Sequence, residues 1–218
     1  MVFGDFLRRL LSTQDERGRK TSDWFRMSVR RAVRSMVSGD AGSVLDAGGG
    51  DGLLFDPNIS GLAGVTTILD LDVKALHEAR QRYSGRGMFV SGDITRMPFP
   101  DVIFDTAVCI GTFYNFPTSE LVRQGILEMA RVTGNDGRVI VEFRNADNPV
   151  VYLAYKYAEK YDPSLKGLPL NAYSIEHVKN MLAHAGLIPK SIKYIGIPFR
   201  YLAIGFILEA VHNKNKGE

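Results

Sequence analysis

Three acids at strand-end positions, the first of them set against a run of glycines, are the residues of this chain whose type and spacing suit chemistry. Asp46 lies in the short apolar run Val44-Leu45-Asp46-Ala47, and four glycines follow within five residues, at Gly48, Gly49, Gly50 and Gly52. A strand that stops in such a turn leaves backbone N–H groups bare and lets a ligand approach the main chain closely. Asp70 stands 20 positions past Gly50, at the end of a second apolar run. A carboxylate there offers acceptors on both oxygens and suits the two hydroxyls of a ribose. Asp72 competes for that role, but it precedes a helical pattern and fits an N-cap better. Asp93, in Gly92-Asp93-Ile94, follows a third run; it suits an adenine amino group, and Ile94 offers an apolar face to the ring. The three together indicate an adenosine-containing ligand.

Two such ligands compete. A dinucleotide fingerprint needs G-x-G-x-x-G, but counting from Gly48 the third position falls on Leu53, and Gly52 comes one residue early. Asp46 would also repel a pyrophosphate. An acid before the turn suits an ammonium group, and S-adenosyl-L-methionine carries one in an amino-acid tail joined through a sulfonium to adenosine. S-adenosylmethionine is therefore preferred over NAD. No general base announces itself. His77, His177 and His184 fall in helical patterns and read as structural or solvent-facing.

The composition narrows the class. With 218 residues, 45% of them hydrophobic, the chain can bury one full core. Its single cysteine, Cys109, excludes an internal disulfide framework and a Cys-rich zinc site; no metal is expected, and the default setting is reducing and cytoplasmic. No apolar run reaches the ~18 residues of a membrane span. Arg8 and Arg9 interrupt the apolar pattern of residues 1–11, so a secretory leader is not expected. The net charge is +3, and residues 1–38 hold nine Arg or Lys against four acids. An excess this small is no nucleic-acid signature.

The elements that must hold these residues follow from periodicity. Phe3, Phe6, Leu7, Leu10 and Leu11 have helical spacing opposite Arg8 and Arg9. Packing on the protein's own core is preferred for this segment, with peripheral membrane or partner contact as the sharper reading. A second helix is expected over Ser22–Met36, with Trp24, Met27, Val29, Val33 and Met36 apolar, and with Arg26, Arg30 and Arg34 on one face. That face reads first as solvated and second as an anion contact. Strands are expected at Ser43–Ala47, Val65–Leu69, Met88–Ser91, Val102–Ile110 and Arg138–Phe143, the last after a turn at Asn135-Asp136-Gly137. Helices are expected over Asp72–Tyr83, Ser119–Val132, from Pro149 with Val150, Leu153, Tyr157 and Tyr161 on one side, and from Ser174. Two closing strands, Leu187–Ile197 and Tyr201–Val211, read as an antiparallel hairpin. Such alternation implies a three-layer α/β domain with a mostly parallel sheet. The expected division is a helical extension at 1–38 that packs on the core, a ligand-binding domain at 39–212, and a tail at 213–218.

These residues resemble the class I S-adenosylmethionine-dependent methyltransferases, type 11-like. Val44-Leu45-Asp46-Ala47-Gly48-Gly49-Gly50-Asp51-Gly52 is similar to the family's first motif, Ile68-Leu69-Asp70-Leu71-Asp72 to its second, and Ser91-Gly92-Asp93-Ile94 to its third. Pro98-Phe99-Pro100-Asp101-Val102-Ile103-Phe104-Asp105 and Arg131-Val132-Thr133-Gly134-Asn135-Asp136-Gly137-Arg138 resemble the approaches to strands four and five. The resemblance implies a Rossmann-like, seven-stranded sheet of order 3-2-1-4-5-7-6 with strand seven antiparallel. It implies that Asp46, Ala47, Gly48, Gly49 and Gly50 face the methionine moiety, and that Asp70 holds the ribose with Leu71 against the adenine. Asp93 and Ile94 would hold the adenine, Cys109 and Ile110 would line the cofactor, and Trp24 or Arg30 would close over the methionine end. The sequence departs from the family where Phe55-Asp56-Pro57-Asn58 interrupts the helix after the first motif, which should be short or kinked.

On the acceptor side the candidates are Tyr114, Asn115 and Arg144, beyond strands four and five. The strand-four exit lacks the Asn/Asp-Pro-Pro-aromatic signature associated with amino-group methylation. A small-molecule acceptor, anionic or lipid-like, is therefore expected, methylated by in-line displacement to leave S-adenosyl-L-homocysteine. The alternatives are an RNA or DNA methyltransferase, or a non-catalytic adenosine-ligand or NAD-binding Rossmann protein. Oligomeric state has no signature in the sequence.

Overall fold

The structure is a computed structural model that describes residues 22–37, 42–57, 65–161, 166–167 and 170–213. The expected helix over residues 1–11, residues 58–64 of the interrupted helix after the first motif and the tail beyond 213 lie outside the described residues.

The first described element, α1 (Ser22–Val37), buries Phe25, Val29, Ala32, Val33 and Val37. Trp24 and Met27, expected on the apolar side, are exposed instead. The 25-29-33 row is the one that meets the sheet, and a position one residue away turns about 100° around the helix. Strand β1 (Val44–Ala47) enters the glycine turn, and β2 (Thr66–Asp70) ends on Asp70. Helix α2 (Val73–Arg82) starts where the Asp72 carboxylate accepts the N–H groups of Lys74 and Ala75, the N-cap expected of it. Then come β3 (Met88–Ser91), β4 (Phe104–Cys109), a 3₁₀ turn (Phe113–Asn115) and α3 (Ser119–Val132).

Strand β5 (Thr133–Arg144) is longer than expected. Its pairing with β4 shifts register between Phe104 and Thr106, so Asn135-Asp136-Gly137 is a bulge inside one strand and not a turn before it. Helix α4 (Pro149–Lys156), capped by Asn148, is followed by α5 (Ala158–Tyr161), α6 (Ile175–His184), β6 (Leu187–Gly196) and β7 (Ala203–His212). On α4 the buried face is Val151, Ala154 and Tyr155, whereas Val150 and Leu153 are exposed. The helix is apolar nearly all round, so its period does not select a face. The anchor is tertiary: the Tyr155 hydroxyl accepts a hydrogen bond from Arg144 Nε at 2.9 Å.

The seven strands form one sheet in the order β3-β2-β1-β4-β5-β7-β6. β7 runs antiparallel to both its neighbours, and the remaining pairs are parallel. Helices α3 and α6 cover one face over a core that includes Leu45, Ala107, Ile126, Val139 and Leu182. Helix α1 covers the other over Val44, Val108, Ile140 and Ile207. This is the three-layer, Rossmann-like architecture with the strand order that the motifs implied.

Candidate functional site

Strand alternation decides which side chains reach the site. Val44, Val108 and Ile140 pack under α1, while Leu45, Ala47, Ala107, Cys109, Val139 and Val141 pack on the opposite face. With a period of two, Asp46, Ile110, Glu142 and Arg144 therefore continue the α1 side of three adjacent strands at their carboxyl ends. They line a cavity of about 210 Å³ together with Phe25, Arg26 and Arg30 of α1 and the Gly48–Gly50 turn.

Asp46 is 1% exposed, and among the described residues its Oδ2 has no hydrogen-bond partner. Burial, reinforced by the nearby Asp70 charge, raises its pKa to about 7, against the opposing pull of Arg30. A buried carboxylate oxygen left without a donor is costly and calls for a cationic partner. The glycine turn beside it differs from the expectation of bare N–H groups. Gly48 and Gly49 both donate to the Leu69 carbonyl, at 2.7 and 3.2 Å, and Gly50 donates to Asp70 Oδ2 at 2.8 Å. The turn thus offers close approach rather than a cradle of donors, which suits a methionine tail better than a pyrophosphate. A Cβ on Gly49 would sit 2.7 Å from Asp46 Cγ, so only glycine lets the turn lie against the carboxylate.

Asp70 uses both oxygens, taking the Gly50 N–H on one and the Asp72 N–H at 2.9 Å on the other. It joins the two strand ends and keeps further lone pairs for a ligand hydroxyl. From behind, Arg82 pairs with Asp51 and Asp56, and the Tyr83 hydroxyl donates to the Gly52 carbonyl. From above, Arg34 donates to the Leu53 and Leu54 carbonyls, both at 2.6 Å, and fixes α1 to the loop that leaves the turn. Arg30 is partly buried, and that burial lowers its pKa despite the attraction of Asp51. The basic face of α1 is therefore not simply solvated: Arg26 and Arg30 border the cavity.

The far end of the cavity is built around Arg144. Its Nη1 donates to Glu142 Oε1 at 3.2 Å, and the Phe25 ring centroid lies 3.9 Å from its Cζ, with the Tyr114 ring at 5.1 Å. Glu142 Oε2 accepts the Gly111 N–H at 3.0 Å. Burial pulls the Arg144 pKa down, but Tyr155 and Glu142 raise it by more, so the guanidinium stays charged.

The structure thus brings together Asp46, Gly48, Gly49, Gly50, Arg30, Ile110, Tyr114 and Arg144, with Asp70 behind the turn. It does not bring the others to the cavity. Trp24 is half exposed one residue before Phe25, which lines the site in its place. Cys109 and Ala47 point into the opposite core, because neighbours of Ile110 and Asp46 must face the other way. Ile94 is buried in that same core, and Asp93 is exposed and accepts the Thr95 N–H and hydroxyl. Leu71 and Asn115 are exposed and outside the cavity. Phe25, Glu142 and Tyr155 were not anticipated, and Arg26 was anticipated only as part of the basic face of its helix. Glu142 was within reach of the sequence, since it stands two residues before Arg144 in the same strand.

Among the described residues no cluster of His, Cys, Asp or Glu could hold a metal ion, and no helix is long and apolar enough to cross a membrane. His184 bonds the Asn180 carbonyl and His77 meets Gln81, both on the surface.

Sheet order, glycine turn and cavity position define a Rossmann-like three-layer fold with a ligand cavity at the carboxyl ends of its central strands. A sequence model described as a methyltransferase domain matches residues 45–141, and over this region the chain is similar to that family. The ubiquinone/menaquinone biosynthesis C-methyltransferase of Pseudomonas savastanoi pv. phaseolicola is 30% identical over 166 residues, covering 66% of this chain and 64% of that one. The demethylmenaquinone methyltransferase of Deinococcus radiodurans is 32% identical over 145 residues, covering 64% and 55%. The chain thus spans less than two thirds of the length of these curated relatives. Magnesium protoporphyrin IX methyltransferase from Synechocystis PCC 6803, solved with bound S-adenosylhomocysteine, superposes with a TM-score of 0.70 at 20% identity, covering 96% of this chain and 94% of that one.

Proposed function

We propose that this chain is an S-adenosylmethionine-dependent methyltransferase that passes a methyl group to a small-molecule acceptor by in-line displacement, with S-adenosylhomocysteine as product. Asp46 carries the reading: a fully buried carboxylate whose Oδ2 meets no donor among the described residues, beside a glycine turn that opens on the cavity, matches the ammonium of the cofactor's methionine end. Asp70 takes the ribose hydroxyls, and the exposed Leu71 and Asp93 border the adenine, while Ile94 supports that edge from the core beneath. Ile110 and Arg30 enclose the methionine end. When bound, the cofactor supplies an already activated methyl group. What remains for the protein is alignment, which is worth several kcal/mol when two reactants are held in line. Tyr114 and Arg144 hold the acceptor at the other end of the cavity, and Asn115 stands outside it.

A small-molecule acceptor is favoured over nucleic acid by the confined cavity and by relatives whose names refer to quinone biosynthesis. A reducing, cytoplasmic setting agrees with the free, buried Cys109. The deciding measurement is a calorimetric titration of the protein with S-adenosylhomocysteine and, separately, with NAD. Saturable binding of S-adenosylhomocysteine alone is expected; binding of NAD alone overturns the reading.

A further inference from the structure

The acceptor end holds a second built feature. Arg144 is 8% exposed, yet it lines the cavity. Each element packed around it contributes one contact: Phe25 from α1, Tyr114 from the 3₁₀ turn, Glu142 from its own strand and Tyr155 from α4. Two aromatic rings lie against the guanidinium, Nε is held by the Tyr155 hydroxyl, and Nη1 is held by Glu142. Among the described residues no hydrogen-bond partner meets Nη2. A guanidinium presents five donors in a rigid fork, and here the fork is fixed in place with one arm left over. Gly205, opposite Arg144 on β7, makes room for this arrangement, since a Cβ there would lie 2.8 Å from Phe25 Cζ.

Glu142 balances the charge of Arg144 but does not occupy the remaining arm. Its second oxygen is turned to the Gly111 N–H. Arg26 and Arg30 stand along the same cavity. Arg26, Arg30 and Arg144 share the lining with Asp46, Asp51 and Glu142, and the cofactor, whose ammonium and carboxylate cancel, adds the one positive charge of its sulfonium. The cavity of about 210 Å³ is smaller than the ~300–1,000 Å³ that encloses a drug-sized ligand, and it must also take the methionine end of the cofactor.

We propose that Arg144 is an anion seat that selects a planar, aromatic acceptor carrying an oxyanion, either a ring carboxylate or an ionised ring hydroxyl, next to the methylated atom. This rests on the methyltransferase reading above. Charge-assisted donors aimed at such an oxygen orient the ring and stabilise its ionised form without a separate base. Phe25 and Tyr114 supply apolar surface for the ring beside the seat.

The test uses benzoate and 4-nitrophenolate as probes, each against its neutral counterpart, benzamide and nitrobenzene. Binding is followed by ligand-observed NMR titration of the full chain at pH 8, with and without saturating S-adenosylhomocysteine. At least one anion is expected to bind at least tenfold more tightly than its neutral counterpart, and which of the two does so identifies the oxyanion. Arg144→Gln should remove the preference while leaving S-adenosylhomocysteine affinity within about threefold. Equal binding of anions and neutrals by the wild-type protein overturns the proposal, and so does a preference that survives Arg144→Gln. If Arg144→Gln does not fold, the wild-type contrast still decides, and Tyr155→Phe, which keeps the charge but frees the fork, should cut the preference at least threefold. Failure to bind S-adenosylhomocysteine would defeat the methyltransferase reading separately, because the arms without it report on Arg144 alone.

Discussion

Replacing Asp46 with Asn should make the ligand-free protein more stable and its cofactor site worse, and the size of both effects follows from the site. The carboxyl is fully buried, and its pKa is raised from an ordinary 3.8 to about 7, first by burial and then by Asp70. A folded-state pKa above the unfolded one means that the fold holds this proton more tightly than the open chain does. The contribution to stability is therefore fully present below about pH 4. It is lost progressively between about pH 4 and pH 7 as the unfolded state ionises first, and above pH 7 the loss is complete. The gap of about three pH units, at 1.36 kcal/mol each, puts that loss on the order of 4 kcal/mol.

An Asn at this position never ionises and recovers much of it. For a chain of this size, with a melting shift of about 2–4 °C per kcal/mol, Asp46→Asn should melt roughly 5–15 °C above the wild type at pH 8 and within about 2 °C of it at pH 4. Circular-dichroism melts of the ligand-free proteins at the two pH values measure this directly. In the same protein, loss of a charge-assisted contact worth about 1.5–3 kcal/mol should weaken S-adenosylhomocysteine roughly 10- to 150-fold at pH 8. A variant that melts at or below the wild type at pH 8, or an Asn gain that is the same at pH 4, refutes the reasoning.

Three further outcomes test the rest of the site. Asp70→Ala removes the acceptor for the Gly50 and Asp72 N–H groups; isothermal calorimetry should show S-adenosylhomocysteine binding weakened at least about tenfold, the scale of one lost charged hydrogen bond. Gly49→Ala drives a Cβ to 2.7 Å from Asp46 Cγ and 2.9 Å from Ile68 Cγ2. Chemical denaturation should show a loss of about 1–3 kcal/mol, with cofactor binding reduced further than stability. Arg34→Met keeps the apolar stem but removes two bonds to the Leu53 and Leu54 carbonyls; unfolding in urea should report a loss of about 2 kcal/mol, and unchanged stability would show that α1 is held by its apolar face alone.

The glycine-turn half of the cavity was legible because it is local in sequence. Asp46, the glycines and Asp70 sit at strand ends, and a strand end is marked by an apolar run that stops. The parallel sheet then brings those ends together whatever the surrounding helices do. The far half, where the acceptor is proposed to sit, is assembled from α1, the exit of β4, the end of β5 and α4, and no single segment among them carries a signature. Phe25 and Trp24 are adjacent aromatics on one amphipathic helix, and which of them points inward depends on the rotation that seats Val29 and Val33 on the sheet. On α4, apolar on both sides, the inner face is set by Tyr155 meeting Arg144, a contact with a residue eleven positions away. Where the sequence did hold the answer, the rule of alternation was available but unused. If Ile110 lines the cavity, Cys109 cannot, and if Arg144 does, Glu142 must. Applied strand by strand, that one constraint turns a list of motif residues into a list of facing side chains, and it adds Glu142 to the proposed acceptor side, where Tyr114 and Arg144 were already candidates and Asn115 falls outside the cavity.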